Sequence, residues 1–161
     1  MSLTTHLVDE LTRSHDRHPW HGSSRKELLH GVSAAVAASH PVPGVHSIWE
    51  LVLHMTSWTR EVSRRAHGAA PAEPIEGDWP AVGRATDLRW AAALIDLDQA
   101  HAALCAIVAA LPPERLRVRV GQGDDPALGT GTSFALMIAG IAEHDAYHCG
   151  QIAMLKRAMG T

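Results

Sequence analysis

Apolar residues recur at helical spacing along several long segments of the chain, and the clearest of these runs from residue 134 to 155. Successive apolar positions three or four residues apart form one stripe on a predicted helix. Thr132 or Ser133 precedes the stripe and can cap the start of that helix. The stripe consists of Phe134, Met137, Ile138, Ile141, Ile152 and Leu155.

Three further segments show the same spacing. Ser47 and Glu50 form the pattern of a capping box ahead of one of them, and Thr86 with Asp87 can cap another. Gly68 and the pair Pro112-Pro113 mark helix ends. The predicted helices cover residues 3–15, 48–67 and 87–111.

The intervening segments are shorter and more polar. Ser24 and Glu27 form a second capping-box pattern, which predicts a short helix followed by alanine-rich turns up to Ser39. Residues 40–44, 69–85 and 121–131 are rich in proline, glycine or acidic residues and are predicted loops. Residues 115–120 alternate charged and apolar side chains, so we expect an irregular or briefly extended connection there.

Long amphipathic helices without paired strands favour an antiparallel helical bundle. At 161 residues, the chain is long enough for one domain with a sizeable core, so a single domain over 1–161 is predicted. The expected fold is therefore all-α: a four-helix bundle with a short extra N-terminal helix and long loops.

Two histidines interrupt the apolar stripe of the last helix. His144 follows Ile141 by three residues, and His148 follows His144 by four, so both imidazoles face the core. A buried imidazole without a partner costs free energy, and an i, i+4 histidine pair can bind one divalent metal ion. The alternative is two core histidines bonded to neighbouring carbonyls or carboxylates.

A third ligand is required for a convincing site, and His54 is the first candidate. It lies at the edge of the apolar face of the second long helix, and bundles build metal sites from facing helices. Three protein ligands leave a position for water or substrate, which is typical of a catalytic zinc site. His101, within the apolar stripe of the third long helix, is a rival third ligand or a fourth.

Polar residues beside these histidines could orient a ligand ring or act on substrate. Glu50 precedes His54 by one turn, Asp145 adjoins His144, and Gln151 follows His148 by three residues. For each of the three, a solvated or capping role is the alternative. The Trp20-His21 pair could close over the mouth of the bundle or plug the end of its core.

Composition limits the classes of binding partner and the cellular compartment that we expect. The net charge of −3 gives no reason to expect nucleic acid or an anionic membrane as a partner. Cys105 and Cys149 form no CxxC motif, and the chain starts without a targeting pattern, so reduced thiols in the cytoplasm are expected. Apolar runs are too short for a membrane span.

Two sequence segments, residues 46–54 and 144–152, resemble the DinB-like (YfiT-like) superfamily of four-helix-bundle metalloenzymes. They read His-Ser-Ile-Trp-Glu-Leu-Val-Leu-His and His-Asp-Ala-Tyr-His-Cys-Gly-Gln-Ile, and the order of elements between them also agrees. The resemblance implies an up-down-down-up bundle that binds nickel or zinc through His54, His144 and His148. It also implies a homodimer formed through the long helices.

The resemblance leaves the reaction open. Relatives include thiol-dependent S-transferases and isomerases that use low-molecular-weight bacterial thiols, and others are described as metal-dependent hydrolases. We therefore expect a divalent-metal-dependent enzyme that activates water or a small thiol toward a small-molecule substrate. The alternative is a non-catalytic metal- or ligand-binding bundle, connected with stress, in which a fourth protein ligand such as His101 completes the metal site.

Overall fold

Helices are the only extended regular elements in residues 1–160, which are the residues that the computed structural model describes. The all-α prediction is therefore confirmed. Residues 115–120, expected to be irregular or extended, contain a short 3-10 turn, and Arg119 forms an isolated antiparallel bridge with Ser133. The helices are α1 (Leu3–Asp16), α2 (Arg25–Leu29), α3 (Ala34–Ala38), α4 (Ile48–Ala66), α5 (Asp87–Ala110) and α6 (Phe134–Met159).

Side-chain caps begin the helices that position the site. Both predicted capping boxes are confirmed, because the Ser24 and Ser47 hydroxyls accept from the amides of Glu27 and Glu50, whose carboxylates accept in return. Ser133, the second of the two predicted caps, begins α6. That helix runs four residues beyond the predicted end and stops where Gly160 takes a left-handed conformation with φ 73°.

Four long helices form the bundle, with α4 packed against α5 and α6, and α1 packed against the same two helices. The extra short helices are α2 and α3, which connect α1 to α4 and cover the bundle from outside. The N-terminal helix α1 is therefore one of the four bundle helices.

The bundle core consists of two apolar clusters with a polar layer between them. Along α4, Met55 belongs to one cluster and Val62 to the other; along α6, the change falls between Ile141 and Ile152. His148 lies in the interval of α6, and His54 lies immediately before Met55. On α5, His101 lies between Leu97 of one cluster and Leu104 of the other. The fold therefore buries several polar side chains at one level of the bundle.

One helix in residues 1–160, α5, is long and apolar enough to cross a membrane by length and composition alone. Its Trp90, Leu97 and Leu104 are buried against the other bundle helices, which accounts for part of that apolar character. Leu88 and Ile95 on its opposite side are 83% and 56% exposed.

Candidate metal centre

Three histidine side chains from two helices meet inside the bundle. His54 extends from α4, and His144 and His148 extend from successive turns of α6. Nε2 of His144 lies 2.9 Å from Nε2 of His54 and 3.0 Å from Nε2 of His148. Among residues 1–160, this is the group of three whose ligand atoms, all within 4.8 Å of one another, could hold a metal ion.

Oxygen atoms hold the outer nitrogens of two of these rings. Nδ1 of His54 donates to the backbone carbonyl of Asp78 at 2.6 Å and lies 3.2 Å from its carboxylate. Nδ1 of His148 donates to Oε1 of Gln151 at 2.6 Å. Because neutral imidazole carries one proton, Nε2 of both rings presents a lone pair to the centre of the cluster.

The third ring cannot satisfy both of these lone pairs. Nε2 of His144 has at most one proton, so it can donate to His54 or to His148 but not to both. Its Nδ1 is buried and has no hydrogen-bond partner among the described residues. At least one Nε2 lone pair of the cluster therefore has no proton donor, an arrangement that a cation at the common centre of the three nitrogens would stabilise.

The donor set and its protonation both fit a divalent ion. Tetrahedral bonds of the usual zinc–nitrogen length separate ligand atoms by about 3.3 Å, close to the separations found here. Burial is the main cause that lowers the pKa of His54, and burial also lowers the pKa of His148 to about 4. Both rings are therefore neutral at pH 7, which is the form that binds metal.

Aromatic rings enclose the cluster on its solvent side. The Trp79 indole stacks on His54 with ring centroids 3.9 Å apart, and its other face stacks on His46 at 3.5 Å. The same loop supplies Asp78, whose carboxylate accepts from the Trp58 indole N–H at 2.6 Å. The loop between α4 and α5 thus both orients His54 and shields it.

The polar residues predicted beside the ligands have different surroundings. Gln151 contacts His148 directly, as described above. Asp145 points instead toward Arg25, with which it forms a buried salt bridge at 2.5 Å, and its other oxygen is 3.9 Å from Nδ1 of His144. Glu50 completes its capping box and pairs with His40 at 2.9 Å, so its contacts lie outside the cluster.

His101 lies outside the cluster as well, although the sequence made it a candidate ligand. Its ring stacks on His15 with centroids 4.0 Å apart, and its Nε2 lies 3.4 Å from the sulfur of Cys105. His15 in turn accepts from Arg25 and contacts Asp98 at 3.1 Å. His101 does lie on the core face of α5, but α5 does not face the histidine pair of α6. The His101 side chain therefore belongs to this neighbouring polar network.

This network stabilises an ionised carboxylate next to a candidate ligand. Burial alone would raise the pKa of Asp145, but Arg25 beside it and the neighbouring His144 hold that pKa below its usual range. Arg25, which comes from α2, is 1% exposed. The Asp145–Arg25 pair therefore ties the short helix α2 to α6 next to His144.

Sequence reasoning missed Asp78 and Trp79. Both lie in a segment without hydrophobic periodicity, and the only local signal was an aromatic residue within a predicted loop. The prediction that Trp20 could plug the core is wrong, because its side chain is fully exposed at 101%.

A pocket of about 540 Å³ opens directly beside the histidine cluster. His54 and His144 form part of its wall, and the loop at residues 126–129 lies opposite α4 and α6. The pocket therefore adjoins two of the three histidines of the cluster.

A family model described as DinB superfamily matches residues 23–152, a range that contains His54, His144 and His148. The search of curated proteins finds no match, and neither does the search of solved structures.

Proposed function

The chain belongs to the DinB superfamily, and on that premise we propose that it is a divalent-metal-dependent enzyme. His54, His144 and His148 hold the ion, which is nickel or zinc, through their Nε2 atoms. The enzyme activates water or a small thiol toward a small-molecule substrate, as a hydrolase or a thiol S-transferase. The observation that carries the proposal is the convergence of three Nε2 atoms, at which the protein leaves at least one lone pair without a proton donor.

The number of ligands supports an enzyme over a structural metal site. A structural zinc site is closed by four protein ligands, whereas a catalytic one keeps a position open. His101, the residue expected to complete a closed site, stacks instead on His15. The open side of the cluster faces the pocket, where substrate can enter.

Each residue of the site has a separate task in this proposal. Asp78 and Gln151 hold the rings of His54 and His148 with their Nε2 atoms inward. Trp79 limits the access of water to His54. When bound, the ion supplies Lewis acidity, which lowers the pKa of a water molecule or thiol toward neutrality. In thiol transfer, the sulfur forms a bond to an electrophilic carbon, the leaving group departs with the bonding pair, and the thiol proton passes to solvent.

The proposal also covers the setting in which the enzyme works. Cys105 and Cys149 are both unpaired, which supports the reducing cytoplasm as its location. The exposed apolar side of α5 supports a homodimer. The net charge of −3 supports a small-molecule substrate over a nucleic-acid or membrane partner.

Elemental analysis of untagged protein tests the metal site directly, with His148→Ala and His101→Ala as a matched pair of buried-histidine variants. We expect about one nickel or zinc ion per chain in the wild type and in His101→Ala, and none in His148→Ala. Loss of metal from His101→Ala alone would place the ion elsewhere. Absence of metal from all three, with no uptake on titration, would overturn the proposal.

Activity separates the two enzyme classes from a non-catalytic protein. Thiol consumption is measured with N-acetylcysteine and 1-chloro-2,4-dinitrobenzene, and hydrolysis with 4-nitrophenyl acetate. We expect one of the two rates to depend on the ion and to fall to background in His148→Ala. A metal-loaded wild type that matches His148→Ala in both assays would favour the non-catalytic alternative.

A further inference from the structure

The pocket beside the histidine cluster has a mostly apolar wall. We propose that the substrate carries an uncharged, apolar group, such as an aromatic ring or a branched alkyl chain, next to its reacting atom. This inference rests on the proposed function, because the histidine cluster is taken as the reacting centre. The pocket volume of about 540 Å³ lies within the usual range for small-molecule sites.

Apolar side chains form most of the pocket wall. Met137 and Ile141 are buried residues of α6 that precede His144, and Val62 faces them from α4. Leu128 and Leu136 extend the same surface toward the loop. A group that enters from the cluster therefore contacts hydrocarbon, and its transfer from water is favourable only if it is itself apolar.

The single cation in the pocket wall, Arg65, is already engaged by the protein. Its Nε donates to Glu61 at 2.6 Å, and its Nη1 and Nη2 donate to the carbonyls of Leu128 and Ala72 at 2.6 and 2.8 Å. Glu61 is itself buried and balances the charge. Arg65 thus holds the loop against α4, and its charge is not offered to a substrate anion.

The other polar groups of the wall are engaged in the same way. The Thr132 hydroxyl donates to the Gly129 carbonyl at 3.3 Å, and the Asp78 carboxylate accepts from Trp58 and lies beside His54. Asp78 also adds negative charge at the pocket, which disfavours an anion. The polar atoms left for substrate are therefore those of the histidine cluster, at one end of a largely apolar pocket whose charged side chains are engaged by other protein groups.

A pair of glycines in α6 provides a test that leaves the ligands untouched. Gly140 lines the pocket one turn before His144, whereas Gly150 faces the groove beside α2. A Cβ built at either position meets no atom within 4 Å, so both positions have room for a side chain. Gly140→Leu fills the pocket, and Gly150→Leu is the matched control with the same gain in helix propensity.

The preference for an apolar group can be measured without turnover, by thiol binding to cobalt-loaded protein. Binding is followed by the thiolate-to-cobalt absorption band. The probes are benzyl mercaptan, 4-(mercaptomethyl)benzoate and 2-mercaptoethanol. We expect benzyl mercaptan to bind about tenfold or more tightly than the other two, from burial of its ring. Gly140→Leu removes that advantage, so that the three thiols bind with similar affinity, whereas Gly150→Leu retains the wild-type order.

A second measurement does not require a thiol or turnover. Benzyl alcohol is added to zinc-loaded protein labelled with [13C]methyl-methionine, and the Met137 signal is expected to shift in the wild type and in Gly150→Leu only. The inference is overturned if the neutral and carboxylated thiols bind equally, or if both glycine variants keep the preference for benzyl mercaptan. Failure of the protein to take up cobalt or zinc overturns the proposed function instead, so the two failures are distinguishable.

Discussion

At the scale of single residues, Gln151 controls which nitrogen of His148 is available to a metal. Its Oε1 accepts from Nδ1 at 2.6 Å and thereby directs the Nε2 lone pair inward. Gln151→Met keeps the length of the side chain but removes the acceptor. We expect metal affinity to fall roughly 10- to 100-fold, the usual cost of losing such a partner.

Competition with a chromophoric chelator measures this loss. Gln99→Met is the control, because Gln99 is exposed on α5 and away from the cluster. Its affinity should equal that of the wild type. Equal affinities for wild type and Gln151→Met would mean that packing alone orients His148.

The stacked pair His15 and His101 predicts a dependence of stability on acid. Burial is the main cause that lowers the pKa of His15 to about 2 and that of His101 to about 4, while both rings titrate near 6.5 when unfolded. Below pH 6.5 the unfolded chain binds protons that the folded chain does not. The free energy of unfolding therefore decreases as the pH is lowered. At pH 5 each histidine accounts for a loss of about 2 kcal/mol.

Urea unfolding at pH 7.5 and pH 5, with a chelator present, measures this contribution. His101→Gln should reduce the difference in unfolding free energy between the two pH values by about 2 kcal/mol. His18 is exposed and lies outside the stacked pair, so His18→Gln serves as the control and should retain the wild-type difference. The same pH dependence in all three proteins would contradict a neutral buried His101.

At the scale of elements, Arg65 joins α4 to two loops. Besides its contact with Glu61, it donates to the Ala72 carbonyl before α5 and to the Leu128 carbonyl before α6. Arg65→Met leaves Glu61 with its second partner, Arg64, but leaves both carbonyls without this donor. We expect a loss of about 3 kcal/mol, typical of breaking a buried ion pair from one side.

Chemical denaturation of a second variant on the same helix provides the comparison. Arg60 is 41% exposed and pairs with Glu76 and Asp96 at the surface, so Arg60→Met should cost less than about 1 kcal/mol. Benzyl alcohol binding should also weaken in Arg65→Met, because the loop wall of the pocket loses its attachment. Similar stability losses in the two variants would refute the special role of Arg65.

At the scale of the whole molecule, some features of the polar layer could be predicted from the sequence and others could not. The spacing of His144 and His148 within one stripe predicted their shared direction, because helical geometry is local. His54 lies at the edge of the apolar face of another helix, so it was predicted to point toward the core and meet the histidine pair. The same logic put His101 forward, but which helices face each other depends on the packing of the entire bundle, which periodicity does not encode.

Contacts between distant segments were beyond the sequence for the same reason. The hydrogen bond from His54 to Asp78 depends on the path of a loop without periodicity, and the pair of Arg25 with Asp145 spans 120 residues. Arg25 was visible only as the first residue of a capped helix. Its burial requires α2 to lie against α6, a consequence of tertiary packing.

The exposed side of α5 carries the final prediction, which concerns assembly. Besides Leu88 and Ile95, it presents Ala92, Ala102 and Ala106 to solvent, so a second helix could approach closely over an apolar surface. We expect a homodimer in sedimentation equilibrium that Ala102→Glu converts to monomer, because burying unpaired like charges opposes association. Ala158→Glu, at an exposed position of α6, should remain dimeric. A monomeric wild type at micromolar concentration, or a dimer that tolerates Ala102→Glu, would place any interface elsewhere.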